Sequence, residues 1–216
     1  MLVADRGGHN PQAVGTHGYV DEVIEDRKIN SASIKYQKLA GCKTIDVTPG
    51  RCDMNTDLAY GVDKANDAHV DLFCSHHLNA TVGGYGVEVC YTSDSGKEYA
   101  ERICASISAL GFRNRGSKYR PNLYELHNTS APAVIIESFF VDSKHDVDLY
   151  HKLGADAIGK AIAEGIVGHK IVTPTDVTGT FFRVITGSFQ DRDGANKRIA
   201  ELKELGFESF IALHEE

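Results

Sequence analysis

The sequence predicts an α/β domain whose sheet is covered by helices on both faces, followed by a small C-terminal strand–helix–strand unit. Two observations carry this. Up to residue 168, short apolar runs of strand length alternate with longer segments in which apolar residues recur at helical spacing. Beyond that point Pro174 and several threonines break the pattern, and a second, shorter alternation begins. The expected organisation is a main domain over 1–168, a linker over 169–179 and an appended unit over 180–216.

The elements follow in chain order. Strands are expected over 2–5, 44–48, 70–75, 86–91 and 133–137, each an apolar run bounded by turn residues. A helix is expected over 22–40, where Ile29, Ala32, Tyr36 and Leu39 form a stripe that Gly41 ends. Tyr99, Ile103, Ile107 and Leu110 mark a second helix over 95–110, before Gly111. Val147, Tyr150, Ala157, Ile158, Ala161 and Ile162 mark a third over 144–167. In the appended unit a strand is expected over 181–189, a helix over 191–205 with Ala195, Ile199 and Leu202 on one side, and a strand over 207–213. About 35 residues cannot bury enough surface to be stable alone. This unit must pack on the main domain, pair with a second copy or depend on something else.

Composition narrows the class of partner. The chain is 42% hydrophobic and 25% charged, as in ordinary globular proteins. No apolar run approaches the ~20 residues that span a bilayer, so membrane insertion is not expected. Met1 leads straight into Leu2-Val3-Ala4-Asp5, a core strand rather than a signal peptide. The product is therefore expected in the cytoplasm, acting elsewhere only after release. A formal charge of −7 without a basic stripe argues against a nucleic-acid partner. Five cysteines, an odd number without a CxxC pair, read as reduced and mostly buried thiols.

Four short stretches carry side chains of the kind a hydrolytic metal needs. His77 follows an apolar run and is expected at the carboxyl end of a strand, the edge where open α/β sheets bind ligands. Strand side chains alternate, so only one of His76 and His77 can reach a given ion. His9 follows Gly7-Gly8, which permit unusual dihedrals and close backbone approach. Glu22 opens a helix seven residues before Ile29, on the inward stripe; Glu25, seven before Ala32, satisfies the same periodicity. Glu137 ends the run Ala133-Val134-Ile135-Ile136 in a strand expected to be buried on both faces. A carboxylate there is costly unless paired or bound. Two imidazoles, one ligand carboxylate and one spare carboxylate are the inventory of a catalytic zinc site with an open position.

The series Gly8-His9, Gly18-Tyr19-Val20-Asp21-Glu22, Ser75-His76-His77-Leu78-Asn79-Ala80, Gly86-Val87-Glu88-Val89 and Pro132 to Phe140 resembles the zinc-dependent N-acetylmuramoyl-L-alanine amidases of the amidase_3 type. The resemblance extends to endolysins of clostridial phages and prophages. The resemblance covers residues 1 to about 168 and implies a mixed, mostly parallel sheet flanked by helices. It implies His9, Glu22 and His77 as ligands of one Zn2+ and Glu137 as catalytic acid/base. The implied activity is cleavage of the amide between N-acetylmuramic acid and L-alanine in peptidoglycan. By position, Asn79 is an expected contact for glycan or peptide, and His127 is a second candidate for substrate contact or oxyanion support, with a structural loop role as the alternative. Two departures stand out. The usual Asp-Ala-Gly-His-Gly-Gly opening reads Asp5-Arg6-Gly7-Gly8-His9-Asn10, so the loop after the first strand differs by a residue. Position 61, Arg in many members in the helix before the second histidine, is Gly. The C-terminal unit resembles half of a SPOR-type repeat, a wall-binding module, so two chains are expected to pair their halves as a homodimer. The competing readings are a non-catalytic wall-binding protein with a closed structural zinc site, and a zinc peptidase cutting within the stem peptide.

Overall fold

The computed structural model describes residues 1–173 and 185–211. The chain divides into two compact units, Met1–Ile171 and Val172–Glu216. The first unit is built on six strands: β1 (Leu2–Gly7), β2 (Lys43–Asp46), β3 (Leu72–Asn79), β4 (Val87–Tyr91), β5 (Asn114–Tyr119) and β6 (Ala133–Phe140). Their order is β2-β1-β3-β6-β4-β5. β1, β2, β3 and β6 run parallel, β4 lies antiparallel to β6, and β5 is parallel to β4. The sheet is mixed and mostly parallel.

Alternation along the strands sends side chains into two apolar layers. Val3, Leu72, Cys74, Val87, Val89, Val134 and Ile136 face α1 (Glu22–Leu39), α3 (Asp94–Ser108) and α5 (Lys144–Val167). Ala4, Phe73, Cys90, Ala133 and Ile135 face α2 (Met54–Asp67) and α4 (Tyr124–Asn128). Helix starts carry side-chain caps: Asp21 accepts from Ile24 N, Asp53 from Asn55 N and Thr56 N, and Ser93 from Gly96 N. Two glycines of α5 set its close approach to the other helices. A Cβ on Gly159 would lie 2.6 Å from Ser33 N, and one on Gly165 would lie 2.6 Å from Ile103 Cα. All five cysteines are free; Cys74, Cys90 and Cys104 are buried, Cys42 and Cys52 half-buried.

Several differences from the sequence reading have physical causes. The periodic stripes identified in the sequence include none of α2, α4 and β5, and only the resemblance puts a helix around position 61. On α2 Leu58, Val62 and Ala65 recur at helical spacing, but Asp57 and Gly61 share its buried side and shorten the stripe. β5 reads Asn-Arg-Gly-Ser-Lys-Tyr, an edge strand without an apolar run. α4 spans only five residues. β3 and β6 run on to Asn79 and Phe140, so His77 and Glu137 lie inside strands rather than at or beyond their ends. Pairing on both sides carries these strands past their apolar runs. α5 is broken at Gly154, whose φ of 79° no helix accommodates, so the expected single helix is two packed end to end.

Asp146, in the first turn of α5, is fully buried and accepts from Gly86 N at 2.6 Å and Phe140 N at 3.1 Å. Asp146→Ala would leave two buried amides unpaired. It is expected to cost roughly 2–4 kcal/mol, read as a lowered urea midpoint.

In the second unit α6 (Arg192–Glu204) starts at Asp191, whose side chain accepts from Gly194 N at 2.8 Å. No residue of α6 is buried. Of the strands expected over 181–189 and 207–213, residues 181–184 and 212–213 lie outside the described residues. The described parts, 185–189 and 207–211, carry no strand pairing. A strand exists only through a ladder partner, and these segments find none among the described residues. No helix among the described residues is long and apolar enough to cross a membrane.

Candidate metal centre

Parallel pairing of β1, β3 and β6 brings the ends of β1 and β3 to one edge, with the start of α1 above them. His77 sits on β3, on the face shared with Phe73 and Ser75. His9 follows β1 in a left-handed conformation, φ 55°, which histidine tolerates better than most residues. Arg27 of α1 donates to the carbonyl oxygens of Gly8 (2.6 Å) and His9, clamping this turn. A Cβ on Gly8 would collide with the His77 ring, so glycine is what lets the imidazole lie against the turn.

Glu22 reaches this edge from the first turn of α1 and is 1% exposed. Its Oε1 lies 3.1 Å from His77 Nδ1 and 3.6 Å from His9 Nε2, and accepts from Leu78 N at 3.0 Å. Its Oε2 accepts from Thr16 N at 2.7 Å and Thr16 Oγ1 at 3.1 Å. Glu25, which periodicity left as a rival, turns away to Tyr150 and Lys28.

One donor atom from each of His9, Glu22 and His77 lies within 4.8 Å of the others. Zinc ligands at about 2.0–2.1 Å in tetrahedral array stand roughly 3.3 Å apart, close to the spacings at Glu22 Oε1. Among the described residues no fourth side chain joins the cluster. His76 points to the opposite face, where its Nε2 lies 3.1 Å from Asp5 Oδ1, and Cys74 shares that face. The donor set thus fits a zinc ion with one open position, the arrangement of catalytic rather than structural sites.

The charges are strongly coupled. Burial opposes ionisation of Glu22, but hydrogen bonds from His77 and Thr16 and the imidazole charges outweigh it, bringing its pKa down to about 2. Burial likewise opposes a charge on His77, yet Glu22, Glu137 and Glu125 together lift it to about 9 without metal. His9 is lowered, by burial first and then by His77.

Glu137 pairs in register with His77 on one side and Glu88 on the other. Burial, with the charges of Glu22, Glu88 and Glu125, raises its carboxyl to about 7 against the pull of His77. Its Oε2 is buried without a hydrogen-bond partner. A carboxyl group with a free oxygen and a pKa near neutrality suits proton transfer.

The two expected substrate contacts are placed differently. Asn79, beyond a bulge after His77, donates to Glu88 Oε1 at 3.2 Å, and Arg115 Nε lies 2.7 Å from Glu88 Oε2. His127 is exposed on α4 and is not part of the donor cluster. The two sequence departures meet beneath the site. A Cβ on Gly61 would lie 2.8 Å from Arg6 Cδ, so the glycine makes room for the fully buried Arg6, which pairs with Asp57. Asp57 in turn accepts from Asn10 at 3.0 Å, tying down the loop after His9. Arg27, Asp57 and Glu125 were not singled out from the sequence because a charged residue on a helix is ordinarily solvated, and nothing local marks the partners these three find in the fold.

Comparisons with known proteins agree with this architecture. The family profile of the N-acetylmuramoyl-L-alanine amidases matches residues 1–168, and that of the SPOR domain matches residues 156–212. An uncharacterised protein of Clostridium perfringens (strain 13 / Type A) is 46% identical over 173 residues, which are 77% of this chain and 51% of that protein. The chain therefore spans about half the length of this relative. The endolysin of Bacillus phage SPP1 is 38% identical over 47% of this chain and 40% of its own length. Among solved structures, the catalytic domain of CD27L endolysin targeting Clostridia Difficile superposes with a TM-score of 0.75 at 33% identity, covering 80% of this chain and 99% of that one. With more than three quarters of its length under one family profile, the chain belongs to the N-acetylmuramoyl-L-alanine amidase family.

Proposed function

We propose that this chain hydrolyses the amide joining the lactyl group of N-acetylmuramic acid to L-alanine in peptidoglycan, with one zinc ion held by His9, Glu22 and His77. The carrying observation is a three-donor cluster with no fourth protein ligand among the described residues, beside Glu137, which pairs in register with His77 and keeps one carboxyl oxygen without a partner. Bound zinc would supply a water acidified toward a pKa of ~7 and a Lewis-acid contact for the carbonyl oxygen. Glu137 takes up the water proton at its free oxygen as the carbon–oxygen bond forms. It returns that proton to the alanine nitrogen as the carbon–nitrogen bond breaks, leaving a lactyl carboxylate and a free amine. Glu22, held by three hydrogen bonds from Leu78 and Thr16, keeps the ligand set preorganised. An endolysin role is supported by the likeness to the CD27L catalytic domain and the phage SPP1 endolysin.

Digestion of purified cell walls with the full chain, with and without chelator, tests the reading. The expected product is a stem peptide with a new L-alanine amino terminus by mass spectrometry, absent after chelation. A different new amine would make the protein a peptidase, and no new terminus a binder.

The C-terminal unit is proposed to bind wall and to pair with a second copy. The SPOR match supports wall binding; the absence of any buried residue on α6 supports pairing. Sedimentation at micromolar concentration should give twice the chain mass, and a monomer would overturn the pairing.

A further inference from the structure

Behind His77 lies a chain of buried hydrogen bonds whose direction is fixed by chemistry alone. Ser75 precedes His77 by two residues on β3 and so shares its face. Its Oγ lies 3.1 Å from His77 Nε2, 3.1 Å from Arg6 Nη1 and 3.1 Å from Glu125 Oε1. Arg6 Nη1 is also 2.9 Å from Glu125 Oε1, and Glu125 Oε2 stands 3.9 Å from His77 Nε2. Ser75 and Arg6 are fully buried and Glu125 is 2% exposed, so water does not compete for these atoms.

A hydroxyl has one proton and two lone pairs. Arginine only donates, so Arg6 occupies one lone pair of Ser75. The Glu125 carboxylate, ion-paired to Arg6, only accepts, so it takes the serine proton. One serine lone pair remains, and the group 3.1 Å away must donate to it: His77 must carry a proton on Nε2. Nδ1, which without metal donates to Glu22 Oε1 3.1 Å away, is then the nitrogen whose lone pair a metal beside that oxygen would take.

We propose that Ser75, oriented by Glu125 and Arg6, is a positioning residue that locks His77 in the Nε2-protonated tautomer and presents Nδ1 to the metal. This rests on the reading of His9, Glu22 and His77 as metal ligands. Partners of this kind fix ring orientation and ligand basicity, and their loss typically weakens metal binding about 10–100-fold.

The test uses the full chain and zinc itself, by competition with a chromophoric chelator. Ser75→Ala is expected to weaken zinc binding about 10–100-fold, whereas Ser75→Thr, which keeps the hydroxyl, stays within a few-fold of the parent. Glu125→Gln should also weaken binding, because its amide can donate to Ser75 and reverse the direction of the chain. Imidazole 15N spectra of the zinc-loaded parent should show His77 protonated at Nε2 and metal-bound at Nδ1. Parent-like affinity in Ser75→Ala overturns the proposal and leaves the metal centre standing. So does a parent spectrum with the proton on Nδ1, an outcome that requires no variant to fold. A parent that binds no zinc overturns both.

Discussion

Glu137→Gln is expected to lower the rate of wall hydrolysis by about 10²–10⁴-fold while zinc stays bound, the range that loss of a general acid/base produces. The amide keeps the size of the carboxyl group but cannot take a proton from water or pass one to the departing amine. Measuring both kcat on purified wall and zinc content separates this from ligand loss; a variant that keeps near-parent kcat would remove Glu137 from the mechanism. The same substitution carries a stability signature of opposite sign. In metal-free protein the Glu137 carboxyl titrates at about 7, above its ordinary 4.5, chiefly because it is buried. The folded state therefore holds this proton more tightly than the unfolded chain. Its contribution to stability is complete below pH 4.5 and is lost as pH rises through 7. Glutamine has nothing to lose. Urea unfolding of metal-free protein should show the variant gaining on the parent between pH 4.5 and pH 8, by on the order of 3 kcal/mol. A constant difference across that range would mean that burial does not strain the carboxylate. The acid that performs the chemistry is thus expected to cost the fold, as active-site groups often do.

Glu22→Ala is expected to remove both the metal and the activity. A structural zinc site yields roughly 10–16 kcal/mol at neutral pH, so one of about four ligands represents on the order of 3 kcal/mol, or a factor of order 10² in affinity. Glu22 does more than ligate: it accepts from Leu78 N, Thr16 N and Thr16 Oγ1, joining β3 to the loop before α1. Its loss should therefore also loosen residues 10–17, visible as faster amide exchange there. Glu25→Ala is the control. That side chain faces Tyr150 and Lys28, so zinc content and turnover should stay at parental levels. Zinc loss in Glu25→Ala with retention in Glu22→Ala would reverse the ligand assignment.

The main features of the domain could be read from one dimension because they depend on local periodicity. The helices around Ile29, Ile103 and Ile158 carry apolar residues at helical spacing and the strands around Phe73 and Ile135 carry apolar runs buried on both faces, although Leu39, expected in the first stripe, is exposed. α2 carries a shorter repeat, because beside Val62 and Ala65 it turns Asp57 and Gly61 inward to accommodate the buried cation of Arg6. β5 is an edge strand that gains its order from pairing with β4. The break at Gly154 was hidden because apolar residues continue in phase on either side of it.

By itself the sequence determined which side chains were available for chemistry and which strand face each occupies, since alternation along a strand is a property of the backbone. That is why His77 could be separated from His76, and Glu137 singled out as a carboxyl group in an apolar strand. Only the tertiary structure decided which of these groups meet. Periodicity leaves both Glu22 and Glu25 on the inward side of α1, and only the resemblance prefers Glu22. That it is Glu22 that meets the imidazoles depends on where the first turn of α1 stands over the ends of β1 and β3. The support behind His77 depends in the same way on contacts between Arg6, Ser75 and Glu125, separated by 69 and 50 residues along the chain. Distance along a chain carries no information about direction in space until the sheet is assembled.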